Sequence, residues 1–240
     1  MFPYRDENET QRTPFVTFAL IAGTTYTWLA VQGGGAALPL AESVCNLGLI
    51  PGQLTLSLPA GTAFDLGDDL ACFIDPGRQT SSVVTSMFLH GSWMHLLGNM
   101  WFLWLFGNNI EDTFGRVKFA VFYLLCGVAA AFTQGFTSTA SGVPMIGASG
   151  AISGVLGAYI LMFPHARVRV LIMFGIITVV HLRAYVVLGL WFGLQLLNAV
   201  LTPVSEEGGV AFWAHVGGFV AGAALMPLFR PARRRVGPWG

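Results

Sequence analysis

A serine hydroxyl beside a neutral imidazole is the smallest arrangement that makes an activated nucleophile, because the imidazole takes the proton as the oxygen attacks. Ser149 and His215 are the pair in this sequence able to meet that need: Ser149 begins one apolar stretch and His215 lies a few residues into another. A carbonyl attacked by serine becomes an oxyanion, which calls for preorganised hydrogen-bond donors. His95 and Asn99 are spaced i, i+4, so on a helix they point the same way and offer an imidazole N–H and an amide.

Each of these residues also has a plainer use. A buried His or Asn in a membrane helix is, taken singly, better read as interhelical glue worth about 0.6 kcal/mol. Polar groups on three separate stretches at one depth weigh against that reading, since ionisable residues inside a membrane are functional candidates by default. Metal is the competing chemistry, because His90, His95 and His215 would supply a three-histidine zinc site. The helical H-E-x-x-H pattern is missing: His95 is followed by Leu-Leu-Gly-Asn99, and no acid lies in a span core to act as base. No metal is therefore expected. Gly147-Ala-Ser149-Gly150-Ala151 is not the G-x-S-x-G elbow of soluble hydrolases, since its second Gly comes one residue early. The spans hold no acidic third partner, so His215 must be oriented by packing or by another polar group.

The elements that carry these residues are membrane spans. The chain is 54% apolar and 10% charged, with a mean hydropathy of +0.65, against about 25% charged in soluble domains. Net charge is zero, so charge indicates no nucleic-acid partner. Between Lys118 and Arg167 there is no Asp, Glu, Lys or Arg, room for two spans of roughly 20 residues. Six spans are expected, at roughly 14–32, 86–108, 117–136, 146–163, 184–201 and 211–229. Val170–Val180 is apolar but short and is flanked by Arg167, Arg169, His181 and Arg183, so it is expected to be interfacial or re-entrant. Had it spanned, His215 would enter from the face opposite to Ser149.

Arg5, Arg12, Arg116, Lys118, Arg167, Arg169, Arg183 and the tail Arg230-Pro-Ala-Arg-Arg-Arg235 all fall on one side of a six-span chain. That side is cytoplasmic by the positive-inside rule. The other side receives the 33–82 loop, with Glu42, Asp65, Asp68, Asp69 and Asp75 against Arg78, and the last loop with Glu206 and Glu207. No cleavable signal peptide is expected. The expected organisation is a single domain over 1–240, with a cytoplasmic N-terminus (1–13), the outer loop (33–82) and a basic cytoplasmic tail (230–240). The expected setting is multi-pass in a bacterial cell (inner) membrane.

Gly150, Gly154 and Gly157 form one smooth strip, and Ala214, Gly218 and Gly222 another. Small faces let helix backbones approach closely, so spans four and six are expected to touch. Cys45 and Cys72 both lie in the outer loop, bridged if it faces an oxidising space and otherwise two small unpaired residues. Cys126 reads as core filling. Glu111 and Asp112, with Arg116 and Lys118, are expected to order the inner loop, and Trp101 and Trp104 to face lipid or core.

With these residues in hand, the chain resembles the rhomboid intramembrane serine proteases. The likeness runs from span two to span six, through His90-Gly-Ser-Trp-Met-His95-Leu-Leu-Gly-Asn99, Gly147-Ala-Ser149-Gly150 and Ala214-His215-Val-Gly-Gly218. It implies an all-α membrane protein, a bundle of six transmembrane helices around a water-filled outer cavity. It implies Ser149 as nucleophile and His215 as base without a third acid, and His95 and Asn99 with the Ser149 backbone N–H around the oxyanion. The implied partners are the lipid bilayer and transmembrane protein substrates that unwind near the outer face, with small residues at the cut. No nucleotide, metal or organic cofactor is implied. Some rhomboids carry an aromatic one turn after the nucleophile, packed on the histidine; here that position is Ser153. Two rivals stay open. A catalytically inactive relative that binds membrane clients should lack the nucleophile or the histidine, and this chain keeps both. A small transporter often shows internal repeats or matching broken helices, and none is visible.

Overall fold

The computed structural model describes residues 2–67, 70–74, 80–174, 176–202 and 209–230. Asp68, Asp69, Asp75, Arg78, Glu206, Glu207 and the basic tail beyond Arg230 lie outside these residues. Strand β1 (Phe2–Asp6) leads into helix α1 (Phe15–Tyr26), which continues as π-helical turns over Thr27–Val31. The next connection holds helices α2 (Ala37–Leu47) and α3 (Pro51–Leu54), the antiparallel strands β2 (Ala63–Gly67) and β3 (Leu70–Phe73), and the short α4 (Ser82–Thr85). Helix α5 (Trp93–Phe102) runs through a π-turn, Leu103–Gly107, into α6 (Asn108–Phe114). Helices α7 (Arg116–Thr137) and α8 (Ser149–Met162), strands β4 (Arg167–Phe174) and β5 (Ile176–Arg183), and helices α9 (Ala184–Leu201) and α10 (Phe212–Phe229) follow.

The described chain is mostly helical. Helices α7, α9 and α10 are long and apolar enough to cross a membrane, while Phe15–Val31 and α8 are apolar but shorter. The expectation of an all-α protein needs correction. The apolar stretch after α8 is neither helix nor loop: β4 and β5 pair antiparallel, and β1 pairs antiparallel with β4. The reason lies in its residues. Arg167-Val-Arg-Val alternates polar and apolar positions, with Val168 and Val170 buried, and Ile176-Ile-Thr-Val-Val is rich in β-branched side chains. The hairpin returns to its start, with Ala184 N–H donating to the Ala166 carbonyl at 2.9 Å. Helix α9 therefore begins beside the end of α8.

The second correction concerns the helix carrying His95. It starts at Trp93, well after the expected position, because Ser92 is its N-cap and accepts from the His95 N–H at 3.1 Å. His95 thus sits in the first turn.

Helices α8 and α10 pack backbone against backbone. A Cβ placed on Gly218 would overlap the Gly150 carbonyl, and one on Gly222 the Gly154 carbonyl. Helix α7 lies along both: Gly150 meets Ala130, and Gly217 meets Thr133. The Gln134 side chain accepts from the Ala214 N–H at 3.1 Å, satisfying a donor in the first turn of α10.

Glu111, which lies within α6, orders the start of α1. Its buried carboxylate accepts from the backbone N–H groups of Val16 and Thr17 at 2.9 and 2.8 Å, and from the Thr17 hydroxyl. It supplies the cap that Pro14 lacks and places a negative charge at the helix N-terminus. Arg116 stacks over Phe15 and, among the described residues, forms no ion pair to an acid. Trp101 stacks on Phe2 and donates to the Pro3 carbonyl at 2.8 Å, so it holds the N-terminal strand.

The described residues between α1 and α4 form a cap over the segment that enters α8. Cys45 and Cys72 are bridged, closing a loop of 27 residues, worth about 3–4 kcal/mol in unfolded-chain entropy. Leu49 and Met145 exchange two backbone hydrogen bonds, and Gly52 N–H donates to the Ser141 carbonyl at 2.8 Å. The cap thereby braces the segment that enters α8.

At the opposite end of α8, Asp6 of β1 accepts from the Tyr159 hydroxyl at 2.8 Å and the Asn109 amide at 2.6 Å. Burial pushes its carboxyl up from 3.8 to about 6, against the pull of those two hydrogen bonds. A raised carboxyl means the folded state binds a proton that the unfolded chain has released. Stability from this group is full below about 4 and declines as pH climbs towards and through about 6. Asp6→Asn removes the titration, so its unfolding temperature in detergent should gain on wild type between pH 4 and pH 7. A constant difference across that window would contradict the assignment.

Candidate active site

Ser149 is the first residue of α8, so its backbone N–H and those of the next two residues have no partner within the helix. These donors and the positive end of the helix dipole face whatever binds at Ser149. Ser153, one turn on, donates its hydroxyl to the Ser149 carbonyl at 2.6 Å and so stays within its own helix.

His215 lies in the first turn of α10, and the close approach of α8 and α10 puts its ring against the serine. His215 Nε2 and Ser149 Oγ are 2.8 Å apart. The other ring nitrogen, Nδ1, lies 2.8 Å from Gln195 Oε1 on α9. With the Gln195 amide oxygen facing the ring, Nδ1 is the nitrogen that donates. Nε2 then presents its lone pair, and the Ser149 hydroxyl donates to it. That is the tautomer a general base requires. Trp191, also on α9, lies beside the imidazole with ring centroids 6.0 Å apart, and Phe212 meets its edge at 6.4 Å. The aromatic contact that Ser153 is too small to make comes from α9 and α10.

His95 approaches from α5. Its Nδ1 accepts from the Gly91 N–H at 3.3 Å, which leaves the proton on Nε2. Gly147 marks where that nitrogen points. A Cβ there would stand 2.8 Å from His95 Nε2 and 3.6 Å from Ser149 Oγ, at a φ of +126° that favours glycine. Asn99 is almost buried and donates its amide to the His95 carbonyl at 2.9 Å. Among the described residues it makes no direct hydrogen bond to Ser149. Three of the four expected residues are thus assembled, and the fourth supports the helix of the third.

His90 is buried, its ring edge-on to His95 at 4.8 Å. Its backbone is held by Gln32, whose buried amide donates to the His90 carbonyl and accepts from the His90 N–H, both at 2.8 Å. Neither Gln32 nor Gln195 stood out in the sequence. For Gln195 a signal existed: it is an amide in an uncharged span, near the end of α9 that leads into α10, so its depth matches that of His215. Among the described residues, no three His, Cys, Asp or Glu side chains converge as metal ligands would.

A cavity of about 20 Å³ adjoins Ser149, lined by small residues including Gly147, Gly150, Ala130 and Ala214. That volume is enough for about one water molecule. A serine hydroxyl against a histidine nitrogen, donors at a helix N-terminus and room beside them are together what acyl transfer to serine would use.

Comparison with known proteins finds relatives of this chain. Presenilin-associated rhomboid-like protein A, mitochondrial, of Danio rerio is 37% identical over 93 residues, covering 38% of this chain and 24% of that protein. Rhomboid protein 1, mitochondrial, of Saccharomyces cerevisiae is 35% identical over 91 residues, covering 36% of this chain and 26% of that protein. RHOMBOID-like protein 5 of Arabidopsis thaliana is 30% identical over 158 residues, covering 65% of this chain and 47% of that protein. The chain spans about a quarter of the length of the mitochondrial relatives it matches. Their names conflict with the expectation of a bacterial cell membrane, which no residue of this chain carried, and that expectation is withdrawn. The Rhomboid domain family matches residues 77–232, a stretch that contains the serine, both histidines and all three long apolar helices. This chain is an integral membrane protein and belongs to the rhomboid family.

Proposed function

We propose that the chain is an intramembrane serine protease, cutting other membrane proteins in or near their transmembrane segments. The observation that carries this reading is the 2.8 Å contact between Ser149 Oγ and His215 Nε2. Ser149 attacks the scissile carbonyl, and His215 takes its proton and returns it to the leaving nitrogen. Water then repeats the sequence on the acyl-enzyme. The oxyanion is received by the Ser149 N–H and His95 Nε2–H, with Asn99 turning from the His95 carbonyl to add its amide.

The setting that goes with this chemistry is a six-span bundle. Helices α7, α9 and α10, the shorter α1 and α8, and the α5–α6 run supply the spans. Both termini lie on the basic, cytoplasmic side. A helix in lipid hides its carbonyls in backbone hydrogen bonds, so the substrate must unwind at the outer face before it reaches Ser149. The small cavity beside the serine supports a preference for small residues at the cut. Substrate enters by movement of α9 or the outer cap.

Labelling with a serine-reactive fluorophosphonate in detergent or bilayers tests the proposal. Wild type is expected to take the label at Ser149, and His215→Ala to lose nearly all of it. Equal labelling of the two would show that the serine is not activated by the histidine, and the reading would fail.

A further inference from the structure

The geometry points to Gln195 as the positioning residue of the base: its side-chain oxygen holds His215 in the tautomer that lets Ser149 react. The inference rests on the protease reading and adds a third member, neutral and on a different helix, to the serine–histidine pair.

A neutral imidazole has two tautomers, and only one leaves Nε2 free to accept the serine proton. With Ser149 as the only partner, the ring could equally donate from Nε2 to the serine oxygen, which quenches the nucleophile. Gln195 Oε1, placed 2.8 Å from Nδ1, lifts that degeneracy in favour of the Nδ1–H form, because the amide oxygen facing the ring accepts and does not donate. The ring is also fixed in angle. Trp191 and Gln195 are spaced i, i+4 and share one face of α9. One packs against the imidazole, and the other receives its N–H. Among the described residues, the ionisable side chain near His215 is that of His95, on α5.

The proton balance is complete without an acid. As the Ser149 Oγ–carbon bond forms, the hydroxyl proton moves to Nε2 and His215 becomes an imidazolium. Its Nδ1–H stays in place, donated throughout to Gln195 Oε1. When the C–N bond breaks, the Nε2 proton passes to the leaving nitrogen and the neutral ring returns in its starting tautomer. Gln195 neither gains nor loses a proton, which is why it orients and does not relay.

Two variants separate this role from packing. Gln195→Met keeps the length of the side chain and suits a half-buried position on α9, but offers no oxygen acceptor. It should lower the fluorophosphonate labelling rate and kcat on the order of tenfold or more, part of the roughly 10²–10⁴-fold that a positioned base contributes. KM and unfolding temperature should stay near wild type. Gln195→Glu restores the acceptor with a negative charge, which favours the imidazolium. It should recover the rate lost in Gln195→Met and move the acid limb of the kcat/KM profile to higher pH. Labelling of Gln195→Met at the wild-type rate, or a Gln195→Glu profile that overlays wild type, overturns the inference while the protease reading stands. A wild-type chain that takes no label at Ser149 sinks both.

Discussion

Ser149→Ala and His215→Ala should each abolish cleavage of a model transmembrane substrate, with losses on the order of 10⁵–10⁶-fold, the scale set by removing either member of such a pair from a soluble serine protease. The two losses should not add. Once the hydroxyl is gone the base has no proton to take, and once the base is gone the hydroxyl is an ordinary alcohol. The double variant should therefore resemble either single one. Stability should change little, since the helices around the pair are held by backbone contacts these side chains do not make. The measurement is cleavage in reconstituted vesicles, paired with thermal unfolding of the same preparations. Full-rate cleavage by either folded variant would remove the pair from the chemistry.

The second large effect is expected one and two turns deeper, where no side chain takes part in the reaction. Gly218→Val and Gly222→Val each place a Cβ on a carbonyl of α8, and no flexible side chain is available to give way. Overpacking of this kind costs about 1–3 kcal/mol in ordinary cores and more against rigid backbone. The cheapest relief is for α8 and α10 to separate, and that stretches the 2.8 Å contact between Ser149 and His215. A shift of about 1 Å is enough to cost ~10²-fold in rate. Both variants should thus lower the unfolding temperature and lose labelling together. Gly189→Ala on α9, where an added Cβ meets no neighbour within 4 Å, is the matched control and should do neither. Normal stability and labelling in Gly218→Val would show that α8 and α10 are not in backbone contact.

The features legible in the sequence are those written in local spacing. The small-residue strips on α8 and α10 predicted which helices touch, because a stripe at positions three and four apart survives any arrangement of the other helices. Span limits for α7, α9 and α10 follow from the same kind of signal, an uncharged apolar run of sufficient length. The hairpin of β4 and β5 is not legible from the length of its apolar run. Its cues were the alternation at Arg167–Val170 and the β-branched run after it. The start of α5 is later than hydropathy implies, because Leu89 and His90 extend the uncharged run whereas Ser92 sets the helix start by capping.

What the sequence by itself determined is the list of candidate reactive groups and the two smooth helix faces that bring a serine to a histidine. Only the tertiary structure decided which groups that histidine faces and how it is aimed. Gln195, Trp191 and Gln32 act across contacts set by how whole helices rotate against one another, and Glu111 caps a helix 94 residues away in sequence. A lone amide in an apolar run has no period and no partner at fixed spacing. Its role exists only once α9 has turned its face to α10.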